Sequence, residues 1–141
     1  MILQLRDNIK DMLTSGFEER NLKPFVMVSS FPDTKESLDN MQKKAKVHSK
    51  GSVYITWTAE RPGERVGVIY PRFIDVFSIF IFSNDRDDDT EIINIYEASR
   101  DILNTKYYLY YGEMSPVKTP MTGLYMAVIQ VGLENIYQGV S

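Results

Sequence analysis

The segment Arg72–Ser83, R-F-I-D-V-F-S-I-F-I-F-S, leaves this chain little freedom in how it folds. Side chains alternate along a strand, so Phe73, Phe77, Ile79 and Ile81 fall on one face and Ile74, Val76, Phe80 and Phe82 on the other. A strand that is apolar on both faces must be covered from above and below. The segment is therefore expected to be the central strand of a sheet, with Asp75 and Ser78 as its polar exceptions. The apolar run 73–82 is far shorter than the ~20 residues of a membrane span.

The rest of the chain alternates helical and extended patterns. Ile2, Leu5, Ile9 and Met12/Leu13 make one apolar stripe at helical spacing, and Gly16 is expected to cap that helix. A short strand is expected at 25–29, after Pro24. Asp33 and Glu36 form a capping-box pattern for a second helix at 34–46, with a thin stripe of Leu38, Met41 and Ala45. Residues 52–58 alternate as a strand, Arg61-Pro62-Gly63-Glu64 signals a turn, and 66–69 can pair back as a hairpin. A third helix is expected over Thr90–Asn104, with Asp88 and Glu91 as its capping pair. Extended segments at 106–111 and 124–133 flank a loop at 112–123, and 134–141 reads as a mobile or docking tail. The order predicts one α+β domain over 1–141, a mixed, mostly antiparallel sheet with helices packed on one face.

Composition limits the function classes. At 141 residues, 43% hydrophobic and 25% charged, the chain can bury a core of ordinary size. A net charge of -3 does not suggest a general nucleic-acid binder. Without cysteine there is no disulfide framework and no thiolate metal site, which fits an intracellular protein. The first eleven residues include Arg6, Asp7, Lys10 and Asp11 and lack the continuous apolar run of a secretion signal, so no membrane association is expected.

Catalytic patterns are scarce. His48 is the single histidine, so a Ser–His–Asp relay lacks support and a two-histidine metal site cannot form. It reads as a surface histidine near a helix end. Asp85, Asp87, Asp88 and Asp89 could offer oxygen ligands to Mg²⁺ or Ca²⁺, but their spacing is not that of a calcium loop, and a solvated helix N-terminus explains them. Glu60 and Asp75 are the further carboxylates that a small metal-dependent phosphodiesterase would need, and nothing in their spacing argues for one. No phosphate-binding glycine motif is present. The expectation is a protein that is not an enzyme and needs no cofactor or metal. The lysines Lys43, Lys44, Lys46 and Lys50 are opposite in sign to the acidic run and suit a charged contact between subunits. Tyr107, Tyr108, Tyr110, Tyr111, Tyr125 and Phe73 add aromatic surface, some of which is expected to face outward.

The layout then becomes informative. The helix I-L-Q-L-R-D-N-I-K-D-M-L leads to a hairpin-rich centre and the long strand F-I-D-V-F-S-I-F-I-F-S. The helix E-I-I-N-I-Y-E-A-S-R-D-I-L-N follows, and the chain closes with L-Y-M-A-V-I-Q-V-G-L-E-N-I-Y. This sequence resembles the tail terminator proteins of long-tailed bacteriophages, especially the Mu-like prophage type, and those of R-type bacteriocins. The resemblance covers nearly the whole chain and lies in element order and length, without a diagnostic motif. It implies a non-enzymatic structural protein, assembled in the bacterial host cytoplasm and carried in the virion or tail-like particle. Such proteins form a homo-hexameric ring that caps the tail tube protein, ends its polymerisation and docks neck or sheath proteins; the sequence does not fix whether DNA passes non-specifically through the ring. In such a ring Lys43, Lys44, Lys46 and Lys50 of one subunit would face Asp85, Asp87, Asp88 and Asp89 of its neighbour. Another neck or tail-completion protein is the nearest alternative, and the phosphodiesterase a more distant one.

Overall fold

The computed structural model describes residues 2–62, 72–84, 88–111, 117–118 and 124–136. Along them run α1 (Ile2–Glu19), β1 (Phe25–Val28), α2 (Lys35–Ala45), β2 (Ser52–Pro62), β3 (Arg72–Ser83), α3 (Thr90–Asn104), β4 (Tyr108–Tyr111), β5 (Val117–Lys118) and β6 (Tyr125–Ile136). The strands form one sheet in the order β1-β2-β3-β6-β4, with β5 also paired to β6. β1 is parallel to β2, and every other pairing is antiparallel.

β3 is the central strand that its two apolar faces require. Phe77 lies opposite Trp57 on β2 and Val131 on β6, and Ile79 opposite Ile55 and Ile129. Phe77, Ile79 and Ile81 are fully buried beneath α1, through Ile9, Leu13 and Phe17, and α3, through Ile92, Ile95 and Leu103. Phe80 and Phe82 point the other way and meet Met41 and Ala45 of α2, with Tyr54 and Leu124 beside them. The fold is thus α+β with a mixed, mostly antiparallel sheet, and its two long helices share one face. α2 departs from the expectation that all helices pack there. The second apolar face of β3 needs its own cover, and the thin stripe of α2 supplies part of it.

The helix ends differ from their sequence signals for local reasons. α1 runs straight through Gly16, because Leu13, Gly16 and Phe17 continue the buried stripe. The helix stops where Asn21 takes a positive φ of 56°, the left-handed conformation that asparagine tolerates. The cap of α2 is Thr34, whose hydroxyl accepts from the Ser37 amide at 3.0 Å, so the Asp33 pattern is displaced by one residue. At α3 the N-cap residue Asp89 makes no side-chain cap bond. Asp88 instead accepts from the Thr90 amide at 3.0 Å and the Thr90 hydroxyl at 2.6 Å. The expected hairpin partner at 66–69 lies outside the described residues, and β2 pairs directly with β3. β5 interrupts the expected loop at 112–123, and β6 extends to Ile136, leaving 137–141 outside the description.

Candidate interaction surface

The lysines of the α2 end and the described aspartates before α3 lie toward one end of the sheet, where β3 ends. Lys43, Lys44, Lys46 and Lys50 are all exposed, at the end of α2 and in the turn after it. Asp88 and Asp89 are exposed at the start of α3. Asp85 and Asp87 lie outside the described residues. Asn84, next after β3, ties the lysine segment to this end of the sheet, its side-chain amide donating to the Lys46 carbonyl at 2.9 Å. Because α2 and α3 cover opposite faces of the sheet, the lysines and the aspartates flank this end on opposite layers. Lys50 is the exception, since it lines a shallow depression together with Lys23, Asp88 and Glu91. Lys44 leans the other way, over a groove between α2 and β1. The two Thr90 hydrogen bonds, the hydroxyl's first, hold the Asp88 carboxyl below the usual carboxylate range. His48 follows α2 half-buried, its ring stacked on Phe25 at 4.1 Å.

The opposite end of β3 holds a pair of carboxylates that the sequence did not bring together. Glu60 lies directly across from Asp75. A β-bulge between Trp57 and Ala59 shifts the register by one residue, and without it Glu60 would face Ile74. Asp75 is fully buried, and the Trp57 indole N–H points at its Oδ1 at 3.4 Å. A hydrogen bond to Asp75 raises the Glu60 pKa, with smaller contributions from burial and from the like charge. Glu60 therefore keeps its proton to higher pH than an ordinary carboxyl. At roughly 3.3 Å per residue, Ser83 lies about 26 Å along β3 from Asp75. Glu60 and Asp75 are thus too far from Asp88 and Asp89 to join them around two metal ions ~4 Å apart. Among the described residues no three metal-binding side chains gather at one place.

The proton on Glu60 has a stability consequence. A carboxyl whose pKa is raised by folding contributes stability that is fully present below its unfolded value and lost as pH rises through the folded value. Lowering the pH from neutral through that window should stabilise the protein. Glu60→Gln, which offers an amide donor to Asp75 at any pH, should raise the urea midpoint at neutral pH and remove this gain. Asp88 acts with the opposite sign, losing its contribution only as pH falls through its depressed value. Equal midpoints and equal pH slopes for the two proteins would show that folding does not raise the Glu60 pKa.

Ser78, the other polar exception of β3, is buried and satisfied. Its hydroxyl pairs with Thr58 Oγ1 at 2.6 Å and accepts from Gln130 Nε2 at 3.1 Å, while its carbonyl accepts from Thr56 Oγ1 at 2.8 Å. Of the aromatic candidates, Phe73, Tyr107 and Tyr125 are half-buried, and burial pushes the Tyr107 phenol up. The side chains of Tyr108, Tyr110 and Tyr111 lie outside the description. The exposed aromatic residues are instead at β1 and its surroundings, in Phe25, Phe31 and Trp57, with Met27 beside them, while Leu3 and Val47 are exposed apolar residues elsewhere. The residues of β1 alternate between exposed and half-buried, and the strand order places β1 at the edge among the described residues, a position that its four residues alone do not disclose.

No helix among the described residues is long and apolar enough to cross a membrane. No protein-family model matches the chain, and no curated protein is significantly similar to it.

Proposed function

We propose that this chain is a structural protein of a long-tailed phage or phage-tail-like particle. In this reading it caps the tail tube as a closed ring, ends tube polymerisation, and presents a docking surface to the neck or sheath. The element order behind the resemblance supports it, and so does the long distance between the Glu60–Asp75 pair and the exposed Asp88 and Asp89. The observation that carries it is the charged end. A ring needs a head-to-tail contact between two different surfaces of each subunit. Exposed lysines on the α2 layer and exposed aspartates on the α3 layer are two such surfaces, opposite in sign and facing opposite ways.

Lys43 and Lys46 are the test positions, because Lys44 belongs to the α2–β1 groove and Lys50 shares a depression with Asp88 of its own chain. Pairs of this kind, exposed at a rim, steer association and set register more than they supply affinity, and salt screens them. Lys43→Glu/Lys46→Glu should leave the thermal unfolding of the monomer unchanged. It should strongly reduce ring formation on polymerised tail tubes at low salt, as counted in negative-stain images. Unchanged ring counts would remove the charged end from the subunit contact. A related tail-completion protein is the second reading, and images that place the chain elsewhere than the tube end would favour it.

A further inference from the structure

Among the described residues no strand pairs with the outer edge of β1. The Phe25 amide donates to Gly51 O and the Ser29 amide to Ile55 O, both at 2.9 Å, so alternate residues face β2. Val26 and Val28 therefore turn their N–H and C=O groups away from the sheet, and β1 ends the strand order among the described residues. Beside this edge Phe25, Met27 and Phe31 are 40%, 37% and 37% exposed. A groove of about 490 Å³ runs between β1 and α2, lined by Met27, Phe31, Met41, Tyr54, Asn40 and Lys44. The Tyr54 hydroxyl is buried beside Ser52, and desolvation raises its pKa against the smaller opposing effect of Ser52. Lys23 precedes the strand, His48 lies on Phe25, and Lys44 overhangs the groove; the acid in the lining is Asp33, next to Pro32.

We propose that β1 is a strand-addition site for an extended, acidic segment of another protein. The backbone groups of Val26 and Val28 supply the ladder, and the exposed apolar side chains supply contact area. Lys44, on the groove, selects carboxylates. A second β1 paired about a two-fold axis is the other simple occupant, and dimerisation through this edge in place of peptide binding would overturn the proposal. The site is a property of the single subunit and stands apart from how subunits join in a ring.

The test uses the monomer and a short synthetic peptide alternating glutamate and valine, with a lysine–valine peptide as control. The glutamate peptide should bind by fluorescence anisotropy, the lysine peptide should not, and the Val26 and Val28 amides should gain protection from hydrogen exchange. Val26→Pro deletes an outward-facing N–H and leaves the β1–β2 ladder whole; it should weaken binding roughly tenfold. Lys44→Glu, at an exposed position in the last turn of α2, should weaken the glutamate peptide by a similar factor, about 1.4 kcal/mol. The proposal is overturned if the glutamate peptide does not bind at millimolar concentration. It is equally overturned if the lysine peptide binds as well, or if both variants bind undiminished.

Discussion

Replacing Phe77 with Ala is expected to destabilise the fold by about 3–5 kcal/mol, the usual cost of removing a buried phenylalanine ring. Phe77 is fully buried at the middle of the central strand, between Trp57 and Val131, in the core that α1 and α3 close. Covered from every side, the site cannot collapse without moving a helix or a neighbouring strand, so the loss should fall toward the upper part of that range. Against a total stability of roughly 5–15 kcal/mol for a domain, this is a large fraction. Chemical denaturation should show a lower midpoint with an unchanged slope. A loss below about 1 kcal/mol would mean that β3 is not the strand on which both layers rest.

Gly16→Leu should be nearly as damaging, although glycine inside a helix ordinarily costs about 1 kcal/mol relative to alanine. A Cβ at Gly16 would stand 2.5 Å from Ile102 Cδ1, 2.6 Å from Cγ1 and 3.1 Å from Cγ2. Three atoms of one buried side chain are in the way, so a change of rotamer at Ile102 cannot clear them all. α1 and α3 meet here across the sheet, and any larger residue pushes the helices apart. The expected loss is about 3 kcal/mol, the upper end of the overpacking range. Ile102→Ala added to Gly16→Leu should recover part of it. A Gly16→Leu protein as stable as the parent would mean that the two helices are not in this close contact.

The contrast between Gly16 and β3 shows what could be read in advance. β3 was legible because apolar residues on both faces admit a single environment. Gly16 was misread as a helix end because a glycine that stops a helix and one that lets two helices touch look alike in sequence. The signal against a stop was present in Phe17, which extends the spacing of Ile9 and Leu13. The layer on which α2 packs could not be read, since a stripe of Leu38, Met41 and Ala45 fits either face of a sheet. Glu60 and Asp75 stayed apart in the sequence because their meeting depends on the single-residue shift at Trp57 and Ala59. The charged groups were visible as composition. Their division between the α2 layer and the α3 layer depends on the topology and was not. The edge position of β1 became visible only once the strand order was known.

Two oppositely charged variants test head-to-tail pairing most directly. In one, Lys43→Glu/Lys46→Glu makes both surfaces acidic. In the other, Asp85→Lys/Asp87→Lys/Asp89→Lys makes both basic and spares Asp88, whose bonds to Thr90 hold the start of α3. Each variant should repel its own copies, and the two can pair only with each other. Negative-stain imaging at low salt on polymerised tail tubes should show few rings with either variant alone and restored, closed rings with an equal mixture. Rings formed by either variant alone at the parent's frequency, or no recovery in the mixture, would contradict head-to-tail pairing through this end of the sheet.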